Sequence, residues 1–203
     1  MTSKRAIVLC AGVFVCWLAG SVQAASEPAA APVQTLTAAL LQSMKAGSAL
    51  SMTERYRQLE PVIEQVFALP IVTRLAVGPE WASFSADQQK ALITAFTRFT
   101  VANYASNFHS FDGQKFEMED NVLSRGADKI VRTHVIPAHD SPVSLLYRTR
   151  EVDGSWRIID VYSDGVSSLA LRRTDFAAAI AAGGAPELLA YLNRTSDNLM
   201  KSK

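Results

Sequence analysis

Asp160 and the three histidines, His109, His134 and His139, are the side chains with the best claim to chemistry in this sequence. A metal site needs several His, Cys, Asp or Glu ligands converging on one point, and such sites are announced by spacings such as H-x-H or H-E-x-x-H. The histidines fall at a helix end, on a strand and in a loop without any such spacing, so they read as surface or strand polar residues. Nucleophilic chemistry fares no better. There is no G-x-S-x-G elbow, Gly165-Val166-Ser167 lacks the strand-to-helix glycine pattern, and no glycine-rich loop could cradle a phosphate. Asp160 is the one acid–base candidate, set in a largely apolar strand with His134 or Tyr147 expected on neighbouring strands. A carboxylate among apolar groups has its pKa raised and can serve as a base near neutral pH. The competing role is structural, with Asp160 accepting backbone or arginine hydrogen bonds and organising the turn that follows. The segment around it, Trp156 to Phe176, holds few polar residues and reads as the floor of a container.

The elements that must position these residues change character at Phe111. Before it, apolar residues recur at helical spacing. Leu36, Leu40, Leu41 and Met44 form one helix that Gly47 ends, and Ser51-x-x-Glu54 is a capping box that opens a second. Pro61 is expected to restart or kink that helix. A further helical stretch runs from about Pro70 to Gly78, Trp81 falls in a short linker, and Ser85-x-x-Gln88 caps a long helix to about Phe108. After Phe111 the period drops to two, and segments around 116–122, 130–136 and 143–148 alternate apolar and polar side chains. Asp153-Gly154 marks a two-residue hairpin before the strand that holds Trp156, Ile158 and Val161. Thr174 is expected to cap a helix from Asp175 to Ala182; Gly183-Gly184 breaks it and Pro186 opens the last helix. The expected fold is α+β: a helical N-terminal half packed on a mostly antiparallel sheet of about four strands, C-terminal helices, and an apolar cavity between helices and sheet.

The N-terminus reads as an address. Lys4 and Arg5 precede an apolar run from Ala6 to Gly20, and Val22-Gln23-Ala24 has the small-x-small form of a signal peptidase site, so residues 1–24 are expected to be a cleaved signal peptide and the protein periplasmic. Residues 25–33 (ASEPAAAPV) are expected to form a flexible leader and residues 34–203 one domain. Both cysteines, Cys10 and Cys16, lie in the signal, which leaves the mature chain without a disulfide or thiolate site. With 20 basic and 19 acidic residues in the whole chain and no basic run, nothing favours nucleic acid.

Aromatic residues give the positive signal. They gather on the long helix, its flanks and the following sheet, where they are either ordinary core or the lining of an apolar cleft of the kind small molecules occupy. The ordered set Arg55-Tyr56-x-x-Leu59-x-Pro61, Phe67, Gly78-x-x-Trp81, Gln88-Gln89, Phe96, Tyr104, Phe108, Trp156-Arg157-x-x-Asp160-Val161, Asp164-Gly165-x-Ser167, Arg173-x-x-Phe176 and Leu188-Leu189 spans nearly the whole mature chain. In order and spacing it resembles the MlaC (toluene-tolerance) family of periplasmic phospholipid-binding proteins. Met44-Lys45-x-Gly47, Arg55-Tyr56 and Asp160-Val161 with Asp164-Gly165 resemble most its hopanoid-associated, HpnM-like branch.

The resemblance implies a carrier rather than an enzyme, without cofactor, that sequesters a phospholipid or hopanoid and docks transiently on membrane transport components. Those would be an Mla-type ABC complex or an RND-type hopanoid transporter. At about 0.8 kcal/mol per CH₂, a chain of some 15 methylenes loses on the order of 12 kcal/mol on entering water, so a carrier must offer a comparably apolar cavity. The candidate lining is Trp81, Phe96, Phe99, Tyr104, Phe108, Val131, Leu145, Tyr147, Trp156, Ile158 and Val161. Two other readings stand beside it: an isomerase- or hydratase-like enzyme with Asp160 as base, and an adaptor of a transport complex that carries no lipid.

Overall fold

The computed structural model describes residues 27–201. The expected signal peptide and the first two residues of the expected leader lie outside these. The rest of that leader is not free. A 3₁₀ turn at Pro28–Ala30 leads directly into α1 (Ala31–Ala46), and Ala29, Ala30 and Val33 are buried. The correction has a simple cause: small side chains and prolines also suit a helix start packed closely on other elements, because Pro fits the first helical turn.

α1 ends at Gly47, and the guanidinium of Arg55 ties the turn that follows by donating to the carbonyls of Gly47 (2.7 Å) and Leu50 (3.2 Å). α2 (Met52–Val66) opens with the expected capping box, in which the Ser51 hydroxyl accepts from the Glu54 amide and the Glu54 carboxylate accepts from the Ser51 amide. Pro61 lies inside α2, which continues through it rather than restarting, at the loss of one backbone hydrogen bond. α3 (Leu69–Val77) and a 3₁₀ segment at Gly78–Ser83 connect to α4 (Ala86–Asn107), which carries the second expected capping box, Ser85 with Gln88.

The C-terminal half is a six-stranded antiparallel sheet: β1 (Lys115–Met118), β2 (Leu123–Arg125), β3 (Asp128–Ile136), β4 (Val143–Val152), β5 (Ser155–Ser163) and β6 (Val166–Ser167). The order is β1-β3-β4-β5-β6, with β2 also paired to β3. Asp153 and Gly154 both take positive φ (51° and 74°), as the hairpin between β4 and β5 requires. Asp164 and Gly165 repeat that geometry between β5 and β6. The last helix, α5 (Ser168–Lys201), begins earlier than expected. Ser167, not Thr174, supplies its cap, since the Ser167 hydroxyl accepts from the Ala170 amide at 3.0 Å. The helical backbone of α5 is interrupted at Gly183-Gly184, the break expected from the glycine pair ahead of Pro186, and the two helical parts meet there at a kink; Gly184 has φ 66° and ψ −151°, a conformation closed to residues with a Cβ.

The helices cover one side of the sheet. Leu36, Leu40, Leu59, Ile63, Leu92, Phe176, Leu188 and Leu192 from the helices meet Val131, Tyr147 and Ile158 of the sheet in one continuous core. On β3 and β4, Asp128 is buried between Arg148 and Arg150, which both donate to it. Burial alone would raise the Asp128 carboxyl; the hydrogen bonds from Arg150 and Arg148 outweigh it and hold the group below the ordinary value.

Candidate binding cavity

Two features place a cavity between α3, α4, the start of α5 and β5. The first is the α2–α3 joint, where Ala68 donates its amide to the carbonyl of Ile158 (3.0 Å) and Phe67 bridges to the same strand. This stitches the joint against β5. The second is a register shift in the β4–β5 pairing between Arg148 and Thr149, which leaves Ile159 without a partner of its own. Strict alternation lapses there, so Ile158, Ile159 and Asp160 are buried one after another. β5 is thereby turned under the first turn of α5.

Asp160 holds that junction together. One carboxylate oxygen accepts from the amides of Val161 (2.8 Å) and Leu169 (3.0 Å), and the other accepts from the Ser167 hydroxyl (2.7 Å). Its acceptors are therefore committed to fixing the start of α5 on the end of β5. Among the described residues Asp160 bonds neither His134 nor Tyr147, the two partners a base would have used. His134 instead pairs with Glu119 (3.0 Å), and Tyr147 is buried in the core, where loss of solvent pushes its hydroxyl pKa well up. Nor is any group of three or more His, Cys, Asp or Glu among the described residues placed to hold a metal.

The cavity has a volume of about 120 Å³. Its walls are Phe67, Leu69 and Val72 from the α2–α3 region, Phe96, Phe99, Thr100, Asn103 and Tyr104 from α4, Ile159 to Val161 from β5, and Ser168, Leu169 and Arg172 from α5. The aromatic rings form a connected series: Phe67 to Tyr104 (5.7 Å between centroids), Tyr104 stacked on Phe108 (5.7 Å), and Phe96 against Phe99 (6.0 Å) and edge-on to Phe176 (5.7 Å). Burial raises the Tyr104 hydroxyl pKa well above its usual value, with Tyr147 nearby adding to the shift, so the ring stays neutral in this wall. Phe67 and Leu69 also border an open depression of about 600 Å³ on the other side of the joint, lined by Pro70, Ile71, Ile93, Thr97 and Arg157. The joint is thus a partition between two concave regions.

Of the residues nominated from sequence, Phe96, Phe99, Tyr104 and Val161 come together on this cavity. Phe108 stands one ring behind it, stacked on Tyr104. Val131, Tyr147 and Ile158 are fully packed core beneath it, and Leu145 is half-buried at the core margin. Trp81 packs on the core from the 3₁₀ segment, and Trp156 lies at a separate depression beside Pro28, Ala31 and Pro32. Phe67, Leu69, Val72, Leu169 and Arg172 were not nominated. The apolar spacing of Leu69, Val72 and Leu169 marks helix faces, but nothing in the sequence says that α3 and the start of α5 pack together, as the bonds from Arg173 to the Leu75 carbonyl show them doing.

A helical cover, a sheet beneath and an apolar hollow between them, with polar groups at its margin, define an α+β cavity protein. The chain belongs to the MlaC protein family: the family model matches residues 34–194. No curated protein matches it. Among solved structures it is similar to a phospholipid-binding protein from Ralstonia solanacearum, determined in complex with a phospholipid. The identity is 22%, the match covers 86% of this chain and 100% of that one, and the TM-score is 0.75. At that identity the likeness is one of fold.

Proposed function

We propose that this protein is a periplasmic lipid carrier that sequesters the apolar part of a phospholipid or hopanoid between α3, α4, α5 and β5 and delivers it to membrane transport components. The observation that carries the reading is the cavity itself: aromatic and aliphatic walls from four elements, with the polar groups of Thr100, Asn103, Ser168 and Arg172 among them. Family membership and the phospholipid held by the Ralstonia protein support the same guest. On this reading residues 1–24 are removed as a signal peptide and the fold acts as one lipid-binding domain.

The volume sets a condition. An engineered cavity of roughly 150 Å³ accepts a benzene, so about 120 Å³ holds no more than a short stretch of an acyl chain. Loading therefore needs the wall to yield. The partition made by Phe67 and Leu69 is the place, since displacing those side chains joins the cavity to the larger depression behind it. Docking at a membrane partner would need only to shift that equilibrium for cargo to enter or leave. The test is uptake from vesicles. Mature protein incubated with phospholipid or hopanoid vesicles and re-isolated should retain lipid by native mass spectrometry; protein that emerges free of both would refute the carrier reading.

A further inference from the structure

Arg172 is the one cationic side chain in the wall of an otherwise apolar and neutral-polar cavity whose single carboxylate, Asp160, is saturated by three donors. Its guanidinium lies over the ring of Phe99, 4.5 Å from the centroid, and donates to Asp175 at 3.3 Å, one turn along the same helix. That single ion pair is long and rim-exposed, with Asp175 42% and Arg172 29% accessible, so it is worth little and easily exchanged. The stacking contact holds the planar fork at the margin of the cavity, and its remaining N–H groups have no acceptor among the described residues. The neighbouring cation, Arg173, is turned away and committed to the Leu75 carbonyl by two hydrogen bonds, at 3.0 and 3.3 Å.

A guest with a neutral polar end would offer those donors only uncharged acceptors, without the second oxygen and the charge that the fork matches. A phosphate or phosphodiester at the end of a chain lying along Phe99 would accept from two of them at once, the arrangement in which arginine is most selective. We propose that Arg172 reads the headgroup: it takes the phosphate of the lipid whose chain occupies the cavity, and so selects phosphate-bearing lipids over uncharged ones of the same hydrocarbon content. The proposal rests on the carrier reading and narrows its cargo.

The test is competitive loading from mixed vesicles containing dioleoyl phosphatidylglycerol and dioleoylglycerol, which share their chains and differ in the phosphate. Lipid recovered from re-isolated protein is quantified by mass spectrometry. A charge-assisted bidentate contact predicts a preference for the phospholipid of roughly ten- to a hundred-fold in the natural protein. Arg172→Gln should bring the ratio of the two lipids close to parity, and Arg172→Lys should keep only part of the preference, because lysine offers a point charge without the fork. Millimolar inorganic phosphate should leave loading unaltered; loading abolished by it would assign the guanidinium to free phosphate and overturn the proposal. Equal loading of both lipids by the natural protein, or a preference that survives Arg172→Gln, overturns it while the carrier reading stands. Uptake of neither lipid removes the carrier reading and the proposal together.

Discussion

Replacing Asp160 by Asn separates a structural carboxylate from a catalytic one. Three donors converge on it at 2.7 to 3.0 Å in a site only 5% accessible. Asn retains an oxygen for the Val161 and Leu169 amides, but both bonds lose their charge assistance. Its amide then faces the Ser167 hydroxyl where an acceptor stood. Hydrogen bonds to charged groups contribute about 1.5–3 kcal/mol and neutral ones about 0.5–1.5, so weakening two and mispairing a third should cost about 2–4 kcal/mol. For a domain of this size that lowers the midpoint of thermal unfolding by roughly 4–16 °C. Urea and thermal unfolding followed by circular dichroism measure the loss, with lipid content of the folded variant measured alongside at low temperature. Destabilisation with lipid content preserved is the expected result. An unchanged unfolding midpoint would refute the junction assigned to Asp160, and a chemical turnover lost at constant stability would restore it as a base.

Other consequences follow from particular contacts. Val72→Trp, which projects a large ring from α3 into the cavity, should abolish lipid uptake while costing about 1–3 kcal/mol of stability, checked by vesicle loading and urea unfolding. Ser85→Ala removes the cap of α4 and should cost about 1 kcal/mol in denaturant unfolding without altering uptake. The depressed Asp128 carboxyl contributes stability that is present above its ordinary pKa near 3.8 and lost as pH falls through its folded value. Asp128→Asn should therefore lower stability by about 2 kcal/mol at neutral pH, moderated by the partial exposure of both arginines, and flatten the acid limb of the stability profile. Gly184→Ala should destabilise the fold by about 1–3 kcal/mol, since its φ of 66° with ψ −151° is closed to alanine; a neutral effect in thermal unfolding would mean the bend in α5 is not required.

How far the fold could be read from the residues depended on the range of the interactions involved. Capping boxes at Ser51 and Ser85 and the Asp153-Gly154 hairpin are local chemistry, and each appears where its residues lie. The change of period at Phe111 correctly separated helices from sheet. The unpartnered Ile159 was not legible, because a bulge leaves no mark on composition and strand alternation assumes none exists. The helix start at Ser168 was hidden for a related reason: its cap, Ser167, is oriented by Asp160 seven residues earlier, a contact that exists only once β5 and β6 have paired. For the cavity, α4 and β5 declared their aromatic and apolar residues, while the contributions of Phe67, Val72 and Leu169 depended on how α3 and α5 dock. The eleven nominated residues divide accordingly between wall, core and margin, since periodicity reports which side of an element is apolar and not whether its neighbour touches it.

Lipid occupancy of the purified protein bears most directly on whether this fold carries a guest. Native mass spectrometry after exposure to phospholipid vesicles, with extraction and identification of what is bound, should show one lipid per chain in the natural protein and none in Val72→Trp. Natural protein that stays empty, or a Val72→Trp variant that loads as well as the natural one, would contradict a lipid site between α3, α4, α5 and β5.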